Sequence, residues 1–186
     1  MRLFIAIEIP ETIRTTFASL LKEFSVIAPQ VKWVRAANLH LTLKFLGEIA
    51  SEKLGPLESV LSTVGSSVRV NLEFRGLGFF PHQKRPRVFW AGMAASANLE
   101  TLAAQIDQVT HRLGFPLEER PFLPHLTLAR FQPPGISPKL LQAIQEKKAQ
   151  RFGSLRTGEF HLVESKLKPT GAEYTTVETF RFATED

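Results

Sequence analysis

A short pattern, His-Leu-Thr-Leu, occurs twice in this chain of 186 residues, once from His40 and once from His125. Successive side chains of a β-strand point to opposite faces, so His and Thr share one face of each copy and the two leucines share the other. Each copy therefore predicts a half-buried strand with a titratable nitrogen and a hydroxyl on its polar face. If the two polar faces oppose each other, they form a cleft lined by His40, Thr42, His125 and Thr127.

The rest of the chain alternates between helical and strand patterns. Apolar residues at helical spacing predict four helices, near residues 13–24, 54–64, 99–113 and 138–150. Besides the two motif strands, further strands are predicted near residues 2–9, 31–34, 70–74, 88–93, 160–167 and 174–182, with a loop at 76–86. Each half of the chain thus has a His-x-Thr strand followed by a helix, which suggests an internal duplication.

Several classes of site are excluded by the residues present. The chain has no cysteine, which rules out disulfides, thiolate metal sites and a thiol nucleophile and fits a reducing compartment. No two of the five histidines have the spacing of a metal-ligand pair, and neither a phosphate-binding Gly-xxxx-Gly-Lys loop nor a Gly-x-Ser-x-Gly elbow occurs. The apolar run Leu3–Ile7 is too short for a signal peptide or a membrane span, so we expect a cytoplasmic protein that does not enter the membrane.

Two histidines and two threonines in one cleft suit the hydrolysis of a cyclic phosphodiester. Water must lose a proton to attack phosphorus, and the departing sugar oxygen must gain one. Imidazole is the side chain whose pKa suits both transfers near neutral pH. Hydroxyl donors can stabilise charge on the non-bridging oxygens without a metal ion. The net charge of +5 also favours an anionic partner such as RNA.

Three further residues are candidates for the cleft, and strand periodicity leaves their roles open. Arg130 is a possible phosphate ligand, although a regular strand would place it on the leucine face. Phe45 has the same difficulty, so it either packs in the core or stacks on a base. Tyr174, the only tyrosine, either stacks on a base or lies in a turn.

The motif segments 40–47 and 124–130 resemble the two signatures of the 2H phosphoesterase superfamily. Nearly the whole chain is similar to that superfamily's RNA 2′,3′-cyclic phosphodiesterases, also called 2′-5′ RNA ligases. The opening strand 2–7, the segment 86–90 and the late segment 164–174 also fit their pattern.

This resemblance implies an α+β fold with pseudo-twofold symmetry, in which two antiparallel sheets face a central cleft and the helices lie outside. It implies one domain over residues 1–186, made of two intertwined lobes that each carry one motif. It implies that His40 donates a proton to the leaving 3′ oxygen and that His125 activates water, although the residues alone do not separate these roles. Thr42 and Thr127 would hold the phosphate.

The same resemblance implies the partners. The expected substrate is RNA with a 2′,3′-cyclic phosphate end, and members of the family also join and cleave 2′-5′ linkages. No metal or nucleotide cofactor is implied, and we expect a monomer. Two alternatives stay open, a related enzyme that acts on a small cyclic nucleotide and a non-catalytic RNA-binding module.

Overall fold

The computed structural model describes residues 1–183, which contain nine β-strands, four α-helices and two short 3-10 helices. The strands are β1 Arg2–Glu8, β2 Lys32–Trp33, β3 His40–Glu48, β4 Val70–Phe80, β5 Val88–Ala95, β6 His125–Arg130, β7 Arg151–Thr157, β8 Glu159–Lys168 and β9 Gly171–Arg181. The α-helices are α1 Glu11–Ile27, α2 Leu54–Leu61, α3 Asn98–His111 and α4 Pro138–Glu146. The 3-10 helices are Ala36–Asn38 and Ser51–Lys53.

The strands form two antiparallel sheets, each of which contains one His-x-Thr strand. The first sheet has the order β3-β1-β8-β9, and the second has the order β2-β6-β5-β4-β7. The motif strand β3 pairs with β1 as the motif strand β6 pairs with β5, which is the predicted pseudo-twofold relation. The prediction of an α+β fold with two antiparallel sheets is therefore confirmed.

Alternation along β1 separates the core from the cleft. Leu3, Ile5 and Ile7 are fully buried in the main hydrophobic core. Phe4 and Ala6 point to the opposite face, where they belong to a small separate cluster with Val163 and Tyr174. The first sheet therefore buries one face under helices and turns the other toward the second sheet.

The helices cover the outer faces of the two sheets. The apolar stripe of α1 reaches the second sheet, since the Phe17 ring lies 6.4 Å from that of Phe74 and the Phe24 ring lies 5.9 Å from that of Phe89. Helices α2 and α3 pack against each other, and α3 also packs on β3. Within residues 1–183, no helix combines the length and the apolar character that a membrane crossing requires.

Two local predictions were wrong. The segment 76–80, predicted as part of a loop, continues β4, because a bulge at Gly76, with a φ of 80°, lets the strand resume its pairing with β5. The last helix ends at Glu146 rather than near residue 150, and β7 follows it as an unpredicted edge strand.

Candidate active site

Both motif histidines are oriented by the same hydrogen bond. His40 Nδ1 lies 2.7 Å from the carbonyl oxygen of Asn38, and His125 Nδ1 lies 2.6 Å from the carbonyl oxygen of Leu123. A carbonyl oxygen only accepts, so Nδ1 carries the proton and donates in each ring. This fixes the tautomer and leaves Nε2 of both imidazoles available to a bound substrate.

The two motifs meet in one cleft of about 270 Å³ that lies between the sheets. His40 and Thr42 line it from β3, and His125 and Thr127 line it from β6. Neither threonine hydroxyl makes a hydrogen bond within residues 1–183, so both are available as donors to a ligand. The two polar faces predicted from the sequence thus oppose each other across one space.

The pKa of His40 is lowered from its ordinary value of 6.5. Burial is the largest cause, because it disfavours the charged ring. The hydrogen bond to Asn38 raises the pKa, whereas the positive charges of Arg14 and His125 lower it. A positive charge on His125 therefore disfavours protonation of His40.

A β-bulge places Phe45 in the cleft. Ile5 of β1 pairs with Lys44, but the next residue, Ala6, pairs with Thr42, so Leu43 has no opposite partner. Leu43 and Lys44 are consequently both buried, and the side-chain alternation of β3 is displaced by one residue. Phe45 returns to the cleft face, where it lines the cleft with half of its surface exposed.

The second motif has the same irregularity, and it brings Arg130 into the cleft. Thr127 pairs with Trp90 and Ala129 pairs with Phe89, which leaves Leu128 without an opposite partner. Leu128 and Ala129 are both buried, and Arg130 is exposed and lines the cleft. Regular alternation would place Phe45 and Arg130 on the leucine face. The two bulges shift the alternation by one residue, so both side chains lie on the cleft face.

Tyr174 lies in strand β9 beside the first histidine rather than in a turn. Its ring centroid is 5.1 Å from that of His40 and 5.1 Å from that of Phe4, with edge-to-face geometry in both pairs. The Phe4 ring also lies 4.6 Å from the imidazole of His40. The three rings thus contact one another in pairs, and the His40 imidazole packs against both aromatic rings.

Two residues outside both His-Leu-Thr-Leu motifs also contribute to the cleft. Besides accepting from His40, Asn38 donates from Nδ2 to the carbonyl oxygen of Ala172 at 2.9 Å, which ties the 3-10 helix before β3 to the start of β9. Arg2 holds its guanidinium 5.2 Å from the centre of the Phe45 ring. Arg2 lies on the same face of β1 as Phe4, the face turned toward the cleft, so strand periodicity was the signal that could have identified it.

The cleft residues also bear on whether the site could hold a metal ion. Within the described residues, no group of three His, Asp or Glu side chains has the arrangement of a metal site. The polar groups that line the cleft are imidazoles, hydroxyls, an amide and guanidinium groups. These groups suit an anion.

Comparison with known proteins gives consistent matches over nearly the whole chain. The family model described as LigT like Phosphoesterase matches residues 7–90 and 93–174. The RNA 2′,3′-cyclic phosphodiesterase of Archaeoglobus fulgidus is 34% identical over 180 residues, which are 97% of this chain and 99% of that relative. A crystal structure of a Thermus thermophilus protein superposes with a TM-score of 0.80 at 31% identity and covers 100% of both chains. A crystal structure of E. coli LigT complexed with 3′-AMP has a TM-score of 0.77 at 28% identity and covers 97% of each chain.

Proposed function

The chain belongs to the LigT-like phosphoesterase family, and we propose that it hydrolyses the 2′,3′-cyclic phosphodiester end of RNA to a 2′-phosphate without a metal ion. The observation that carries this proposal is the matched orientation of His40 and His125. Each ring donates Nδ1–H to a carbonyl of its own chain, and both rings line one cleft. Two imidazoles arranged in this way can act on opposite sides of one phosphorus atom.

The roles of the two rings follow from the chemistry of an in-line displacement. His125 Nε2 takes a proton from water as the water oxygen bonds to phosphorus. The bond from phosphorus to the 3′ oxygen breaks, and His40 Nε2–H gives its proton to that oxygen, which leaves a 2′-phosphate and a 3′-hydroxyl. The assignment of His40 as acid and His125 as base rests on the family resemblance. Each proton transfer contributes about 10²–10⁴-fold to the rate.

An anionic substrate makes this assignment compatible with the lowered pKa of His40. The free ring loses its proton below 6.5 because it is buried near other cations. A phosphodiester in the cleft brings a negative charge against the ring and favours the protonated form that an acid requires. Binding of the substrate therefore prepares His40 to donate.

The remaining residues of the cleft bind and orient the substrate. The hydroxyls of Thr42 and Thr127 donate to the non-bridging oxygens, and the Arg130 guanidinium adds a charge-assisted contact to the same anion. Phe45 and Tyr174 offer aromatic faces on which the terminal base can stack, and such stacking is worth about 1–3 kcal/mol. If the 5′-hydroxyl of a second RNA replaces water, the same steps form a 2′-5′ linkage.

End-group analysis tests the proposal. An RNA oligonucleotide with a 2′,3′-cyclic phosphate end is incubated in EDTA with the wild-type protein and with the variants His40→Ala and His125→Ala. We expect the wild type to give only the 2′-phosphate and each variant to be slower by about 10²-fold or more. His82→Ala is a matched control, because His82 is exposed and lies outside the cleft.

Three results would contradict the proposal. A 3′-phosphate product would show that the other oxygen leaves. Activity that survives in both motif variants would remove the histidines from the chemistry. Turnover that EDTA abolishes and that added divalent metal restores would make the reaction metal-dependent.

A further inference from the structure

A second cavity, larger than the catalytic cleft, lies where β7 leaves the second sheet and β8 enters the first. Its volume is about 650 Å³. It is lined by the end of β1 and the residues that follow, by the β7–β8 junction and by the end of β9. The proposed reaction uses none of these residues.

The wall of this cavity carries several charged side chains. Arg69, Arg156 and Arg181 line it together with two carboxylates, Glu8 and Glu159, so the guanidinium groups outnumber the carboxylates. Glu159 Oε2 lies 3.5 Å from Arg181 Nε, and Glu8 Oε1 accepts a hydrogen bond of 2.7 Å from the hydroxyl of Thr176. Arg181 and both carboxylates therefore already have partners within the protein.

Arg156 is the lining residue best placed to contact a ligand. Its side chain is exposed, and it makes no hydrogen bond or ion pair with any other residue of the described chain. A guanidinium without a protein partner can make bidentate contacts to the oxygens of a phosphate.

His161 adds a buried polar group to the same wall. Its side chain is only 7% exposed, and Nδ1 lies 3.0 Å from the Thr179 hydroxyl oxygen. Nε2 lies 3.7 Å from Glu159 Oε1, which is too long for a hydrogen bond. The imidazole therefore lies on the cavity wall, with the Glu159 carboxylate near its second nitrogen.

The strand pairing of the first sheet shows how close the second cavity lies to the cleft. Ala6 of β1 pairs on one side with Thr42 of the catalytic motif and on the other with His161. Residues opposite each other in a ladder share a face. Two strand spacings separate Thr42 from His161, a distance of about 10 Å between Cα atoms. The second cavity is thus within reach of nucleotides that precede an RNA end bound in the cleft.

We propose that this cavity binds a backbone phosphodiester of the RNA upstream of the cyclic end, with Arg156 as a principal contact. The inference rests on the proposed function, because it takes the ligand of the cleft to be an RNA end. It adds that the protein distinguishes a chain from a single nucleotide by a phosphate contact outside the cleft. Such contacts carry little base specificity and depend strongly on salt.

Binding of product RNAs of two lengths tests the inference. A dinucleotide and a hexanucleotide, each labelled at the 5′ end and ending in a 2′-phosphate, are titrated with protein, and fluorescence anisotropy gives Kd at several salt concentrations. The proteins are the wild type, Arg156→Ala and Arg156→Glu. Arg112→Glu is the matched control, because Arg112 is exposed, follows the end of α3 and lines neither cavity. Thermal melting establishes that each variant is folded.

We expect the wild type to bind the hexanucleotide more tightly than the dinucleotide. Arg156→Ala should reduce the ratio of the dinucleotide Kd to the hexanucleotide Kd by about three- to tenfold, and Arg156→Glu should reduce this ratio further. The slope of log Kd against log salt for the hexanucleotide should fall by about 0.7 when the contact is lost. Arg112→Glu should leave the advantage unchanged.

Three results would overturn the inference. They are the absence of a length advantage in the wild type, an advantage that Arg156→Glu leaves intact, and an equal loss in Arg112→Glu. The 2′-phosphate RNAs are products and are not turned over, so this outcome does not depend on catalysis. Failure of the hydrolysis assay would instead overturn the proposed function.

Discussion

Replacement of Lys44 by Met should destabilise the protein strongly, although Lys44 touches no substrate in the proposed reaction. The bulge in β3 buries Lys44, and its side chain is 2% exposed. Its ammonium forms an ion pair with the carboxylate of Asp107 on α3 and donates to the carbonyl oxygen of Pro116 at 2.7 Å. Lys44→Met would leave that carboxylate without its counter-ion.

The surroundings of Asp107 determine how much stability Lys44→Met should lose. Removing one partner of a buried ion pair costs about 3–5 kcal/mol. The Asp107 side chain is 17% exposed and also accepts from the backbone N–H of Glu118 at 3.2 Å, so part of its hydrogen bonding survives. We therefore expect the lower end, about 3 kcal/mol, which lowers Tm by about 6–12 °C in a protein of this size.

Urea unfolding of a double-mutant cycle measures this cost. Asp107→Leu should also be destabilising, because it leaves the Lys44 ammonium with only the carbonyl. The double variant Lys44→Met/Asp107→Leu should recover about 2 kcal/mol relative to the sum of the single changes. Lys147→Met is a matched control, since Lys147 pairs with Glu23 at the surface and its loss should cost under about 1 kcal/mol.

If Lys44→Met lowers the free energy of unfolding by less than about 1 kcal/mol, this reasoning is refuted, because the buried ion pair would then contribute no more than a surface ion pair. Strict additivity of the two single changes would also refute it, since the two side chains would then not interact.

Three further outcomes follow from the cleft and its supporting sheet. Phe45→Ala should raise KM for the cyclic-phosphate RNA by about tenfold with a smaller effect on kcat, because stacking holds the substrate and leaves the proton transfers intact; steady-state kinetics measure this. NMR titration should show the pKa of His40 below 6.5 in the free protein and higher in His125→Ala, because that change removes a nearby positive charge. Gly78→Ala should destabilise the protein by about 1–3 kcal/mol and shift tryptophan fluorescence, since a Cβ there would lie 2.3 Å from the Trp90 ring.

Side-chain periodicity predicted the two motif strands and the helices, whereas the arrangement of two facing sheets was implied by the family resemblance. The His-x-Thr strands alternate as expected through Thr42 and Thr127. Beyond those residues the alternation breaks, since each strand contains a bulge after its threonine. A bulge adds one residue to a strand and leaves no fixed mark in an apolar run. The faces of Phe45 and Arg130 could therefore not be settled from spacing alone.

The missed strand β7 has a different cause. Its apolar residues Phe152 and Leu155 are three positions apart rather than two, and Gly153 between them has a φ of 126°. β7 is an edge strand that pairs with β4, and Phe152 is its one buried residue, so its sequence has no alternating apolar face. The extension of β4 was missed because a glycine such as Gly76 usually marks a turn, whereas here it forms a bulge within the strand.

The matched bulges also show how a symmetric scaffold is made asymmetric. Phe45 and Arg130 occupy equivalent positions after the two motifs, and both line the cleft. One position supplies an aromatic face and the other a permanent positive charge. The two sides of the cleft therefore differ chemically, although the two motif histidines are related by pseudo-twofold symmetry.

The most direct test of the two-histidine mechanism is NMR titration of the histidine ring signals with inorganic phosphate. The His40 and His125 signals are assigned by their absence in His40→Ala and His125→Ala. We predict that binding of one phosphate ion shifts both signals, with the same Kd for each ring. Different Kd values for the two rings, or a response from only one of them, would contradict the claim that both imidazoles act on a single phosphorus atom.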